Sequence, residues 1–417
     1  MSSAFAPLRE SSAAQRRTLL AASLGWALDA FDVMLYALVL AHIMRDLGIS
    51  KGTAGLLNTL TLLASGIGGI LFGFIADRVG RTKALIASIL TYSICSFASG
   101  LASSIYVLAA IRFLLGLGMG GEWNAGATLV AETWPTHLRA RAIAIVQSSW
   151  AIGYAVAAVV VGVMLQYTDW RKVFFVGILP ALVTLWIRRS VPESEIWERH
   201  RSNAAESGSR TSETFGHLFS KEYRRPTISL LLLNLFGLFA WWGLFTWIPP
   251  YLSLPVEQGG RGFGVMSTTT LLVTLNLLGM FPGYLTFGLA ADWLGRRRAF
   301  VIYLLLAAAI IPFYAAARGE VAILVLGMAV AFFGTGFFAG SGLIGSEIFP
   351  TALRARALGF TYSGARAISS LSPFVIGRYG ESHGLSGAFL LCALSFMLAA
   401  LAASQLPETK GQPLPGS

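Results

Sequence analysis

Five ionisable side chains in this 417-residue chain lie where charge is expensive, inside long apolar runs: Asp29, Asp32, Arg112, Glu122 and Arg366. The stretch Gly25-Trp26-Ala-Leu-Asp29-Ala-Phe-Asp32-Val-Met-Leu-Tyr36 sets two carboxylates one helical turn apart, with Trp26 and Tyr36 read onto the same stripe. An acid at the centre of a bilayer costs about 2.5–3.5 kcal/mol on insertion scales, so a pair of them points to function. Neighbouring carboxylates in a low-dielectric cavity share their protons, which is the property a reversible proton carrier needs. The plainer alternative is a pair of satisfied structural hydrogen-bonding groups.

Arg112 opens Arg112-Phe-Leu-Leu-Gly116-Leu-Gly118-Met-Gly120-Gly121-Glu122, in which Gly116 and Gly120 offer a small-residue face for close packing and Glu122 adds a third acid. Arg112 either neutralises an acid of the first run or takes part in a proton relay, and the two roles are compatible. Arg366 is about 15 Å from the nearer end of its run at 1.5 Å per residue, too deep to snorkel easily. Residues 357–380 hold no Asp or Glu, so its charge must be met by another helix or by a ligand. A guanidinium grips a carboxylate with two parallel hydrogen bonds, which makes an anionic ligand one answer; an ion pair with Glu122 or a first-run acid is the other. Tyr362, Ser363, Ser369 and Ser370 lie within a turn of it. Gln147, Trp150 and Tyr154 share one helical face, and Asn234, Trp241 and Asn276 are further polar or aromatic groups within apolar runs. Each is a candidate substrate contact, with helix packing as the competing role.

The elements that must position these residues are membrane spans. Hydrophobic residues make up 55% of the chain and charged ones only 12%, against roughly 25% in soluble domains, so there is too little charge to coat a globule in water. Twelve apolar runs are long enough to cross a bilayer: about 18–40, 54–76, 84–104, 106–131, 141–167, 171–189, 227–252, 265–291, 299–317, 320–346, 357–380 and 384–405. Of the 31 Lys and Arg residues, 22 lie on segments sharing the side of the N-terminus, 7 in the opposite loops, and 2, Arg112 and Arg366, inside the membrane. That bias makes both termini cytoplasmic. The net charge of +11 is thereby explained by loop topology and not by nucleic acid. Cys95 and Cys392 lie in apolar runs and the five His show no ligand spacing, so neither a disulfide, a metal site nor a cofactor is expected.

The chain is also written twice. Gly73-Phe-Ile-Ala-Asp77-Arg78-Val-Gly80-Arg81-Thr-Lys83 recurs as Gly288-Leu-Ala-Ala-Asp292-Trp-Leu-Gly295-Arg296-Arg-Arg298, displaced by 215 positions. Glu132-Thr-Trp-Pro-Thr-His-Leu-Arg139-Ala-Arg141 recurs at the same offset as Glu347-Ile-Phe-Pro-Thr-Ala-Leu-Arg354-Ala-Arg356. Two motifs at one offset mean an internal duplication, and duplicated halves in so apolar a chain indicate a transporter. The expected organisation is a tail 1–17, a six-helix bundle 18–189, a linker 190–226 with a surface helix around Ser194–Arg201, a second bundle 227–405 and a tail 406–417.

The repeated Gly-x-x-x-Asp-x-x-Gly-Arg-x-[Lys/Arg] loops resemble the signatures of the major facilitator superfamily. The resemblance implies an all-α fold of twelve helices in two six-helix halves, working as a monomer in the cell membrane. It also implies a gate: Asp77 and Asp292 would meet helix starts in the opposite half, with Gly80, Arg81, Gly295 and Arg296 shaping the turns. Glu132 with Arg139 and Glu347 with Arg354 would complete that network. Simple topological anchoring by the basic residues is the alternative, although an anchor needs no Asp or Gly at fixed spacing. Arg112-x-x-x-Gly-x-Gly is similar to the helix-4 signature linked to proton coupling.

Asp-x-x-Asp in the first run, the stretch Gly118–Arg141, and Trp170-Arg-Lys-Val-Phe-Phe-Val-Gly-Ile-Leu-Pro180 resemble the sialate:proton symporter family. That resemblance implies symport of a small organic anion with protons. The competing reading is a porter of a neutral sugar, favoured by the tail motif Pro407-Glu-Thr-Lys-Gly411, but Gln147-Ser148 and Asn234-Leu235 stand where sugar porters carry paired Gln. No loop carries a catalytic His/Asp/Glu constellation, so enzymatic activity is not expected.

Overall fold

A computed structural model describes residues 11–134, 136–190 and 215–411. The surface helix expected around Ser194–Arg201 lies outside the described residues. The described residues form twelve main helical segments: α1 (Ala13–Leu47), α2 (Lys51–Val79), α3 (Arg81–Ser99), α4 (Ile105–Thr133), α5 (Thr136–Met164), α6 (Trp170–Phe175, a 3-10 turn Val176–Ile178, then Pro180–Ser190), α7 (Arg224–Ser253), α8 (Val265–Thr274, a π turn Leu275–Met280, then Phe281–Leu294), α9 (Arg296–Ala316), α10 (Glu320–Ile348), α11 (Thr351–Ser369, a turn at Ser370 and Leu371, then 372–383) and α12 (385–404). There is no strand among the described residues.

Eleven stretches are long and apolar enough to span a membrane, and the last of them, Arg356–Ser404, has 49 residues. Such a helix would measure about 70 Å, more than twice the hydrocarbon thickness of about 30 Å. It is broken at Gly384, whose φ of 69° and ψ of 162° no helix accommodates. The stretch is therefore two passes, and the total is twelve.

The helices gather into two compact units, one comprising residues up to His42 with Leu60 onward as far as the linker, the other comprising Ile43–Thr59 with the chain from Ser212. The corner between α1 and α2 thus packs with the later helices. Its anchors are specific: Gly52 N–H donates to Glu381 Oε1 at 2.7 Å, Lys51 Nζ to the Gln258 carbonyl at 2.7 Å, and Asn58 Nδ2 to Thr246 Oγ1 at 3.0 Å. Glu381 is also ion-paired to Arg378.

Within the units the helices touch backbone to backbone at glycines. A Cβ on Gly68 of α2 would lie 2.0 Å from the Leu117 carbonyl oxygen of α4, and one on Gly283 of α8 would lie 2.4 Å from the Phe332 carbonyl oxygen of α10. Both glycines and both carbonyls are related by the 215-residue offset, so the duplication is physical as well as textual. Gly153 of α5 is tighter still: its Cβ would meet the Ala27 carbonyl of α1 at 1.8 Å. Gly153→Val must force the two helices apart, a cost of at least about 1–3 kcal/mol. It is expected to lower the melting temperature or abolish folded protein in detergent size-exclusion profiles. Gly66→Ala, where nothing lies within 4 Å, should fold normally.

Candidate functional site

In the first unit, α4 is drawn between two neighbours by its glycines. Gly116 and Gly120 approach the carbonyls of Thr61 and Ser65 on α2, while Gly118 approaches the Tyr92 backbone nitrogen on α3. This seating carries Arg112 and Glu122 into the interior, where Asp29, Asp32, Arg112, Glu122, Tyr36 and Tyr92 are all essentially inaccessible. Asp32 Oδ1 accepts a hydrogen bond from Ser96 Oγ of α3 at 3.0 Å. The same oxygen lies 2.7 Å from where a Cβ on Gly177 of α6 would be, so the break in α6 makes room for the carboxylate. The Arg112 guanidinium lies over the Tyr36 ring, 4.8 Å from its centroid, and none of its nitrogens has a hydrogen-bond partner among the described residues. Glu122 is pressed against α1, with Oε1 2.3 Å from the position of a Gly25 Cβ and Oε2 without a partner among the described residues.

The structure corrects the single stripe read onto α1. Trp26 packs against Trp150 of α5 with ring centroids 4.8 Å apart, whereas Asp32 turns to α3 and α6. Each three-residue step on a helix of 3.6 residues per turn lags by about 60°, so residues 26 and 32 diverge by about 120°. Gln147 and Tyr154 are buried beside Trp150 on α5.

In the second unit Asn234 of α7 is a cross-link. Its Oδ1 accepts from Ser341 Oγ of α10 at 2.5 Å, and its Nδ2 donates to the Thr361 carbonyl of α11 at 3.5 Å. Trp241 is buried among Trp242, Phe245 and Phe338, with centroids 4.9, 4.9 and 5.4 Å away. Asn276 lies in the π turn; its Nδ2 donates to the Leu272 carbonyl of its own helix, and its Oδ1 is buried without a partner among the described residues. Tyr362 and Arg366 are half-buried on α11 and one turn apart, and Arg366 Nε has no hydrogen-bond partner among the described residues. Ser369 and Ser370, expected beside the guanidinium, instead return their hydroxyls to the carbonyls of Arg366 and Ala367. A serine near a helix end finds its own backbone sooner than a ligand.

Tyr92, Ser96, Gly25 and Gly177 were not singled out by residue type. The available signal was the polar stripe Ser88, Tyr92, Ser96 and Ser99 on one face of an apolar run.

The sequence matches the model of the Major Facilitator Superfamily over residues 22–266. The chain belongs to this superfamily of transporters. A second model, Sugar (and other) transporter, matches residues 206–416. The chain is 32% identical to a probable 4-methylmuconolactone transporter of Cupriavidus pinatubonensis, over 98% of this chain and 94% of that one. It is 33% identical to the sialic acid transporter NanX of Escherichia coli, over 94% and 95%. Its fold is that of the xylose transporter XylE from E. coli in a partially occluded inward-open conformation, with a TM-score of 0.78 at 19% identity, covering 97% of this chain and all of that one. It is thus a polytopic membrane transporter related to carriers of organic acids.

The repeated loops of this facilitator turn on glycines with positive φ, 113° at Gly80 and 97° at Gly295. The side chains of Asp77, Glu132, Arg139 and Arg354 lie outside the described residues. Arg81 Nη1 donates to the Ala76 carbonyl at the end of α2. Glu347, expected to pair with Arg354, binds Arg296 (Nη2 to Oε1, 3.1 Å) and accepts from Thr409 Oγ1 at 2.5 Å. Asp292 pairs with Arg296 four residues on, at 2.5 Å. Glu408 accepts the Arg296 backbone N–H at 2.8 Å, capping α9 beside Gly295. The tail motif is therefore tied into the loop, a tertiary contact that loop spacing alone cannot reveal.

The exposures rank these pairs, since Glu347 and Arg296 are each 15% exposed and Asp292 is 70% exposed. Arg296→Ala strips a shielded carboxylate of its partner, at about 1–3 kcal/mol, whereas Asp292→Ala removes an i,i+4 surface pair worth about 0.3–0.5 kcal/mol. Melting curves in detergent should show a drop of several degrees for the first and almost none for the second. Equal drops would refute this ranking.

Proposed function

We propose that this facilitator is a secondary active symporter that carries a small organic anion together with protons by alternating access, with both termini on the cytoplasmic side. The observation that carries the reading is the division of charge: three buried acids, Asp29, Asp32 and Glu122, with Arg112 in the first unit, and Arg366 in the second. Asp32 holds the proton, supported by Ser96 and neighboured by Arg112. Arg366 holds the substrate carboxylate, flanked by Tyr362. Arg366 Nε has no hydrogen-bond partner among the described residues, which leaves the guanidinium a donor for a carboxylate ligand. Sialic acid, the cargo of the related transporter NanX, is itself a carboxylic acid. Tyr36, Gln147, Trp150, Tyr154, Trp241 and Asn276 are proposed to shape the path, and Asn234 to hold α7, α10 and α11 in register. The repeated loops, with Asp77, Gly80, Arg81, Glu132, Arg139, Asp292, Gly295, Arg296, Glu347 and Arg354, act as the gate.

Uptake into liposomes under an imposed pH gradient, screened with labelled acids and sugars, tests the reading. Acids should accumulate only with the gradient. Asp32→Asn should abolish accumulation and leave substrate exchange intact. Arg366→Lys keeps the charge but loses the two-pronged grip, so the apparent affinity for the acid should fall about tenfold or more, the worth of one charge-assisted hydrogen bond. Undiminished uptake of a neutral sugar by Arg366→Lys would instead favour the sugar porter.

A further inference from the structure

Tyr92 is a hydroxyl that neither helix packing nor the acid–arginine pairing accounts for. Its side chain is wholly buried, and its oxygen has no hydrogen-bond partner among the described residues. Its place follows from three contacts. On α3 it sits one turn before Ser96, which donates to Asp32. Its backbone nitrogen meets α4 at Gly118, one turn before Glu122, and Ser88, one turn earlier on α3, fastens the same seam by donating to the Gly118 carbonyl at 2.7 Å. Glu122 in turn lies against α1 at Gly25, one turn before Asp29. The antiparallel run of α3 and α4 then orders the groups along α1: Glu122 at the level of residue 25, Asp29 about 6 Å further at 1.5 Å per residue, and Asp32 about 4.5 Å beyond that. Tyr92, one turn before Ser96 on α3 and level with Gly118 of α4, stands beside this ladder. The other titratable groups nearby are Arg112 of α4, whose guanidinium lies over the ring of Tyr36 of α1, and Cys95 of α3.

Resting on the symport reading above, we infer that Tyr92 is a relay hydroxyl that passes protons between Glu122 and the Asp29–Asp32 pair. In one direction the protonated Glu122 gives its hydrogen to the phenol oxygen as the phenol gives its own to the Asp29 carboxylate. One O–H bond breaks at Glu122, one forms at Asp29, and the phenol ends neutral with one hydrogen. No electrons change hands, and the reverse path is the same step run backwards. Asp29 passes the proton to the Asp32 carboxylate, whose Oδ1 is held by the hydrogen bond that Ser96 donates, so the proton ends on Asp32. The hydroxyl has no hydrogen-bond partner among the described residues, so the relay is open here and closes when Glu122 and Asp29 come within hydrogen-bond reach of the Tyr92 oxygen. A phenol suits the task because it accepts and donates at one atom without leaving a charge in the apolar interior.

The test needs no substrate. The carboxylic-acid infrared band of the full-length protein in liposomes is followed after a rapid pH jump, with Glu122→Gln and Asp32→Asn assigning its components. Tyr92→Phe keeps the buried ring and removes only the oxygen. It should leave the final protonation and the melting temperature unchanged but slow the Asp32 component about a hundredfold, the lower end of what a positioned proton-transfer group contributes. An unchanged rate, or a slower one seen only alongside a lower melting temperature, overturns the relay. The symport reading fails separately, if acids accumulate without a pH gradient or Asp32→Asn accumulates them normally.

Discussion

The close approach of α4 to its neighbours is the constraint on which the first unit depends. A side chain at Gly116, Gly118 or Gly120 would strike the backbone or β-carbons of α2 or α3, so these helices pack at a distance that only glycine permits. Lipid tails are as apolar as leucine, so helices in a membrane gain little by hiding apolar surface from each other and must be held by such packing and by interior polar contacts. The seam does both. It brings backbones together and, because its glycines share α4 with Arg112 and Glu122, it carries two charges out of lipid and into the company of Asp29, Asp32 and Tyr36.

The second unit meets the same requirement differently. Its interior is aromatic, with Trp241, Trp242, Phe245, Phe337 and Phe338 in successive ring contacts, and its amide Asn234 is satisfied by two other helices. The duplicated halves have thus kept the frame and exchanged the filling. One is a nest of ionisable groups, the other an aromatic wall with the half-buried guanidinium of Arg366 on α11.

Much of this was legible in the residues. Run lengths locate twelve passes, and the break at Gly384 falls where the last apolar run was expected to begin. The repeated loops announce the duplication, and Gly80 and Gly295 announce their turns. What escaped was set by tertiary contact. The corner at Ile43–Thr59 follows its hydrogen bonds to Thr246, Gln258 and Glu381, partners far away in sequence. Glu347 found Arg296 and Thr409 because Glu408 draws the tail onto α9. Tyr92 was overlooked because a tyrosine in an apolar run resembles packing until the helix behind it is known to carry a glutamate.

The π turn at Leu275–Met280 has a consequence for reading one half from the other. A π turn holds one residue more than the α-helical path it replaces, and α2 has no such turn. On the far side of it, constant arithmetic works: Gly68 and Gly283 play the same part, as do Gly80 and Gly295. On the near side the ruler slips by one position and about 100° of rotation. A residue of α8 before Leu275 therefore has its spatial twin in α2 one place away from its textual one. Comparisons that ignore the slip would match inward-facing groups with lipid-facing ones. The two halves are copies with a reading-frame error written in geometry instead of in codons, and Asn276 sits at the point where it occurs.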